Sequence, residues 1–364
     1  MREIPEKIIG EKERTVVSYV PQDLPAIAHF FKRIYTGAGS YGSADLFRWK
    51  IMDNPVMPGI INLVKDNGRI ISTTSITPKR LLLRRHEYQV AEIGDTYTDP
   101  SYQRQGLFAL LINQSTQDAL TKGINFIFGT PNNQSLPGYV KNAKYKIMQS
   151  INIRSLVIPV DIKPYIQLRI GWLMGIYTAA LFSTFMCGYS LIKRITIKRG
   201  NFKIDESNEL PHDWDNFWEK ARMNYDFIFS RDRQSIEWRF FKNPEKYNLL
   251  VLREESVIVG YVICRAIYNR KSTTLYVVDF LTLPGHEESL EILLSRVLQD
   301  ALRANVTKIG AWCVKASPYF RIFRRFGFLE RSGLPLISYQ NDFAREVEEN
   351  CRNWHFTISD SDNI

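Results

Sequence analysis

Cysteine is scarce in this 364-residue chain. Its four copies, Cys187, Cys264, Cys313 and Cys351, lie far apart and form no Cys-x-x-Cys pair. That argues against a disulfide scaffold and a thiolate zinc site, and it fits a reducing compartment. The five histidines, His29, His86, His212, His286 and His355, are equally scattered, so no metal centre is expected. The opening Met1-Arg2-Glu3-Ile4-Pro5-Glu6-Lys7 is charged and leads into no apolar run, which predicts no secretory signal and a cytoplasmic protein. What is present is a folded-protein balance, 45% apolar and 24% charged residues. At about 150 residues per domain, the length implies two domains. Lys and Arg outnumber Asp and Glu by 48 to 38, a net charge of +10. That surplus suits a phosphate- or carboxylate-bearing partner or an anionic membrane surface, without choosing among them.

The chain repeats itself weakly. Leu46-Phe47-Arg48-Trp49-Lys50 followed by Asn54-Pro55 matches Ile236-Glu237-Trp238-Arg239-Phe240 followed by Asn243-Pro244. Further on, Asp95 to Pro100 aligns with Asp279 to Pro284, Tyr139-Val140-Lys141 with Phe323-Arg324-Arg325, and Ala143 with Gly327. Matches in one order at nearly one offset indicate duplication, and the period is too long for a solenoid. Each copy reads as α/β. In the first, a helix is predicted over 24–35, with Ile27, Phe30, Phe31 and Ile34 on one face, and a second over 107–122. Strands are predicted over 60–64, 70–76, 87–98 and 125–128. The second copy has strands over 249–252, 257–265, 275–281 and 308–314, with a helix over 290–303.

The stretch Thr98-Asp99-Pro100-Ser101-Tyr102-Gln103-Arg104-Gln105-Gly106-Leu107-Phe108 joins a strand to a helix. Such a turn leaves first-turn backbone amides without intrahelical acceptors, at the positive end of the helix dipole. Together they make a site for a pyrophosphate. Gly106 lets the backbone approach closely, and Arg104, Gln103 and Gln105 can supplement the amides.

This pattern resembles the acyl-CoA motif of GNAT acyltransferases, Gln/Arg-x-x-Gly-x-Gly/Ala, except that Phe108 stands where the motif has Gly or Ala. Gly129-Thr130-Pro131-Asn132-Asn133-Gln134-Ser135-Leu136-Pro137-Gly138-Tyr139-Val140-Lys141 looks like the second half of that fold. The Arg48-Trp49 and Asn54-Pro55 pattern is similar to a subgroup of large bacterial tandem proteins of this superfamily. The resemblance implies a mixed-sheet α/β fold with two tandem domains, the second degenerate. The expected domains are 1–155 with the acyl-CoA site, an apolar and basic connector over 156–205, 206–340 without the site, and a tail over 341–364.

The resemblance also implies an acetyl-CoA-dependent N-acyltransferase acting on a small-molecule amine, with amino sugars among the acceptors and no nucleic-acid partner. The turn through Gln103, Arg104, Gln105, Gly106, Leu107 and Phe108 would hold the diphosphate, with Asn132 and Ser135 nearby. The open edge of the 92–98 strand would hold the pantetheine arm, and an amide near Tyr97 or Thr98 would polarise the thioester. Tyr139 would be the general acid. Glu92 or Asp95 would act as base or capture an ammonium group. Being three apart on one strand, they are expected on opposite faces. The second copy has Gly285-His286-Glu287-Glu288-Ser289 at the turn and Phe323 in place of Tyr139. It is therefore expected to bind no CoA and to shape the acceptor cleft.

Residues 170–192 carry no charge, a length that can cross a bilayer, with Arg169 before and Lys193, Arg194, Lys198 and Arg199 after. Gly171-x-x-x-Gly175 adds a helix-packing signal. A helix packed on the domains is preferred, then one lying at a membrane surface, then a span. The tail Trp354 to Asp362 reads as a last strand ending in exposed carboxylates, Asp360 and Asp362. Two other functions fit the sequence. One is a tRNA-dependent ligase of the Fem peptide-bridge type, and the other is a binding module without activity. The oligomeric state is left open.

Overall fold

The computed structural model describes residues 16–34, 43–163, 172–197, 201–269 and 272–361. The chain forms two compact units, and neither is one stretch of sequence. The first comprises 1–150, 242–244 and 335–351; the second comprises 151–241, 245–334 and 352–364.

In the first unit the sheet contains β1 (Val16–Ser18), β2 (Ile60–Asp66), β3 (Arg69–Leu83), β4 (His86–Thr98), β5 (Ile127–Gly129), β6 (Tyr145–Ile147) and, from much later in the chain, β15 (Ile337–Tyr339). The order is β1-β2-β3-β4-β5-β15-β6. Only the β4–β5 step is parallel; the others are antiparallel. Alternation along β2 sorts its side chains onto two faces. Ile61 and Leu63 pack with Leu24, Ile27, Phe30 and Phe31 of α1 (Leu24–Ile34). Ile60 and Val64 join clusters that include Leu107, Leu111, Ile112 and Ala119 of α3 (Leu107–Thr121). Each such buried side chain contributes about 1.5–3 kcal/mol. The helical spacing read from the sequence is the spacing of these buried faces.

The repeated Trp motif takes the same unusual form twice. Helix α2 (Ala44–Phe47) runs into a five-residue π turn, Arg48–Met52, that carries Trp49. In the second unit, α7 (Arg233–Ile236) runs into the π turn Glu237–Phe241, which carries Trp238. In the first copy Asn54 donates to the Pro78 carbonyl on β3 and accepts from Val56 N, which fixes the chain leaving the π turn.

The second sheet contains β7 (Ile153–Pro159), β8 (Phe202–Ser207), β10 (Asn248–Glu254), β11 (Val257–Asn269), β12 (Ser272–Thr282), β13 (Lys308–Val314) and β14 (Leu329–Leu334), in the order β14-β7-β13-β12-β11-β10-β8. Its one parallel step is β12–β13. Read from β8, this is the order of the first sheet strand for strand. In each sheet the sixth place is taken by a strand from the other half of the sequence. Ile337–Tyr339 fills it in the first, between β5 and β6, and Ile153–Pro159 fills it in the second, between β13 and β14. Helix α8 (Leu290–Arg303), expected over the same residues, buries Leu290, Leu293, Leu294, Val297, Leu298 and Ala301.

Within the second unit the apolar connector forms α5 (Trp172–Ile197), whose Ala179, Met186 and Ser190 are buried. Tyr189 donates to the Phe326 carbonyl at 2.7 Å, and Lys193 lies over the Phe326 ring. Among the described residues no helix is long and apolar enough to cross a membrane. Arg169, Ile170, Gly171, Lys198 and Arg199 lie outside the described residues.

The tail differs from its sequence reading. Strand β16 is only Trp354–His355, paired in parallel with β9 (Phe227–Phe229), and a tight turn follows at Ile358–Asp360. Asp360 is buried rather than exposed, because Arg231 bonds it at 2.8 Å. Asp362 lies outside the described residues.

Candidate active site

The site in the first unit begins with a fault in β4. Across β3–β4, Thr73 faces Tyr97 and Ser75 faces Gly94, so Asp95 and Thr96 together oppose Thr74. This is a β-bulge, with Asp95 in the left-handed region at φ 47°. On its other side β4 pairs with β5 at Ala91–Ile127 and Glu92–Phe128, and among the described residues their pairing goes no further. Residues 93–98 therefore present backbone groups along an edge that β5 does not cover.

At the end of that edge the chain turns. Asp99 is buried, accepts from Ser101 N at 3.1 Å, and holds Arg33 at 2.7 Å and Arg69 at 3.3 Å. Gln103 Nε2 donates to the Thr98 carbonyl and closes the turn. Arg104 and Gly106 both take left-handed conformations, φ 60° and 78°, and Gly106 is the residue from which α3 springs. A Cβ on Gly106 would enter open space. The amides of Leu107, Phe108 and Ala109 thus begin a 15-residue helix at an exposed corner flanked by three arginines. That corner suits an anionic group. The Leu107 side chain is core, packed with Val64, Ile71 and Leu111, so only its amide is available there.

Phe108, the departure from the motif, does not block the turn. Its ring packs edge-on to Tyr139 at 5.3 Å and lies over Gly138, where a Cβ would come within 2.4 Å of it. The bulky residue at one position is accommodated by the absent side chain at the other.

Tyr139, on α4 (Leu136–Asn142), is 4% exposed, and its hydroxyl lies 3.0 Å from Thr96 Oγ1, which in turn meets Thr74 Oγ1. Burial pushes the phenol well above its ordinary value, against the Thr96 hydrogen bond, and the charges of Glu92 and Asp95 add to the rise. Tyr139 is therefore a phenol, not a phenolate, through the neutral range.

Glu92 and Asp95 share a face, which corrects the strand-alternation reading. Asp95 accepts from Ser75 at 2.6 Å and pairs with Lys50 at 2.7 Å; Glu92 pairs with Lys79 at 3.2 Å. Ser75 and Lys79 lie on one face of β3, and the extra residue of the bulge brings Asp95 to the side on which Glu92 lies. Both pairs are nearly fully buried, so neither carboxylate is a bare base. Lys50, Lys79 and Ser75 escaped the sequence reading. A lysine in a π turn or a strand gives no sign of burial. Beside them, Thr77 Oγ1 is buried with no hydrogen-bond partner among the described residues. Asn132 and Ser135 bond mainly to each other and to their own turn, at 2.9–3.4 Å, and so shape the start of α4. Tyr97 sits edge-on to Phe30, and Thr98 Oγ1 meets Ser72 Oγ at 2.7 Å.

The corresponding region of the second unit is closed. Asp279 is fully buried and bonded by Arg231, Tyr261 and Thr357 at 2.7–3.0 Å. Burial opposes its charge, but Arg231 and the hydrogen bonds hold its carboxyl below the usual range. The rings of Phe280, Tyr319 and His355 pack together where β12 leaves β13. The turn before α8 carries Glu287 and Glu288, and Phe323 is buried among Phe280 and Phe328. No group of His, Cys, Asp and Glu fit to hold a metal occurs among the described residues.

Residues 18–147 match a family model described as the acetyltransferase (GNAT) domain. No curated protein matches the chain. Three similar solved structures carry the fold further along it. A probable N-acyltransferase from Enterococcus faecalis has a TM-score of 0.60 at 12% identity, covering 89% of this chain and 72% of that one. A GCN5-related N-acetyltransferase from Anabaena variabilis gives 0.59 at 12% identity with the same coverage. Saccharomyces cerevisiae N-myristoyltransferase with bound myristoyl-CoA gives 0.62 at 14% identity, over 93% of this chain and 85% of that one. At such identities the likeness is one of fold.

Proposed function

Residues 18–147 being a GNAT acetyltransferase domain, we propose that the protein transfers an acyl group, acetyl in the simplest case, from acyl-CoA to a primary amine in a ternary complex. The observation that carries this reading is the pairing of two features on one strand. The β4 bulge frees an edge of backbone, and the left-handed turn at its end opens onto the first amides of α3. The turn, with Arg104 beside it, would receive the diphosphate, and the 93–98 edge would receive the pantetheine amides. Backbone N–H groups at the bulge would stabilise the oxyanion, an effect of about 3 kcal/mol per well-placed donor.

The amine nitrogen attacks the thioester carbon and the new C–N bond forms. The C–S bond then breaks, the thiolate takes the Tyr139 proton, and the proton that the nitrogen sheds as it becomes an amide is the one returned to Tyr139. Thr96 and Thr74 extend from Tyr139 as a hydroxyl chain that can restore it. Asp95 and Glu92, with Lys50 and Lys79, set the charge of the face on which the amine would arrive. We read the second unit as a diverged copy that binds no CoA. What supports that reading is its buried Arg231–Asp279 pair and its acidic turn.

The test is release of free thiol from acetyl-CoA with a panel of amines, amino sugars included. Tyr139→Phe should lower kcat by about 10²-fold or more and leave the KM for acetyl-CoA nearly unchanged. Wild-type activity in Tyr139→Phe would remove the proton donor from this scheme.

A further inference from the structure

We propose that the outer face of α5 docks on an anionic lipid surface. Helix α5 packs one side on its own unit through Ala179, Met186 and Ser190. The side that remains is apolar and in solvent: Tyr177 is 69% exposed, Leu181 72%, Phe185 63% and Ile192 60%. These residues recur at helical spacing along one stripe of some 15 residues, with Gly188 and Leu191 between them. A surface helix normally turns charge toward water. Here no charged residue occurs from 172 to 192.

The occupant follows from charge. Between Asp161 and Asp205 the sequence has no acidic residue, while Lys163 and Arg169 precede the helix stripe and Arg194, Lys198 and Arg199 follow it. A second copy of this chain would meet that segment with the same cations and no anion to match them. A bilayer surface bearing anionic headgroups supplies both partners at once, apolar depth for the stripe and negative charge for its ends. With no helix among the described residues fit to span, a helix lying in the interface plane is the arrangement that satisfies both.

The full-length protein should co-sediment with vesicles of phosphatidylcholine containing about one-third phosphatidylglycerol, and salt should weaken it, since each basic residue near such a surface strengthens binding about fivefold. Leu181→Glu with Phe185→Glu should reduce that binding by about tenfold or more, with helix content and acyl-CoA binding retained. Three results would overturn the proposal: protein left in the supernatant with these vesicles, equal binding to phosphatidylcholine alone, or a double variant that pellets like the wild type. A fourth is dimerisation on sedimentation velocity that the double variant abolishes in the absence of any vesicle binding, which would assign the stripe to a second copy.

Discussion

Phe108 and Gly138 are a matched pair, and the match is sharp enough to measure. A methyl on Gly138 would lie 2.4 Å from the Phe108 ring, and that ring also supports Tyr139. Gly138→Ala should destabilise the protein by about 1–3 kcal/mol, as overpacking does. Adding Phe108→Leu should recover much of that loss, and a double-mutant cycle in denaturant checks the coupling. At this scale the sequence was uneven to read. Tyr139 stood out through its Pro-Gly-Tyr-x-Lys setting. Lys50 and Lys79 did not, because ion pairing inside a protein leaves no trace in hydropathy. The faces of Glu92 and Asp95 were misread for a specific reason: alternation fails across a bulge, and a bulge at a non-glycine left-handed residue has no sequence signature.

Among elements, the helices were legible because their buried faces repeat at 3.6 residues, and the long strands through β-branched and apolar runs that are buried on both faces. Helix α3 and the turn before it also declared their chemistry, through Gly106 at a helix start. The exchanged strands were not legible. Ile337–Tyr339 has three residues, too few for a period, and its partners β5 and β6 lie roughly 200 positions earlier in the chain. Ending the chain after Leu334 removes β15 and leaves β5 and β6 without the strand that joins them. Such a truncation should unfold less cooperatively and expose the first sheet to amide exchange, read by hydrogen–deuterium exchange over 127–129 and 145–147. Protection there equal to that of the full chain would mean that β15 is dispensable.

For the molecule as a whole, the buried polar cluster of the second unit sets a pH dependence. Burial, reinforced by Arg231, pushes His355 down to about 3 from an ordinary value near 6.5. The unfolded chain therefore takes up a proton near pH 6.5 that the folded chain refuses until about pH 3. The contribution of neutral His355 is full above pH 6.5 and declines as the pH falls through that window. Midpoints of urea unfolding should drop from pH 7 to pH 4, and His355→Phe should flatten the slope by about one proton. Asp360 works in the same cluster, and Asp360→Ala, which strips a buried guanidinium of one partner, should cost about 3–5 kcal/mol. The duplication was visible in the sequence as two Trp motifs and two aligned Asp-to-Pro segments. The two sheets then follow one strand order, and in the second the stretch of β12 beyond its pairing with β13 is packed by the Phe280, Tyr319 and His355 rings.

The diphosphate corner is the most exposed part of this account. Calorimetric titration of the full-length protein with CoA, and with pantetheine, which lacks the diphosphate, addresses it directly. Wild-type protein should bind CoA at least about tenfold more tightly than pantetheine. Gly106→Val, which forces a branched side chain into a left-handed position at the start of α3, should erase most of that difference. Equal affinity for the two ligands, or CoA binding indifferent to Gly106→Val, would contradict it.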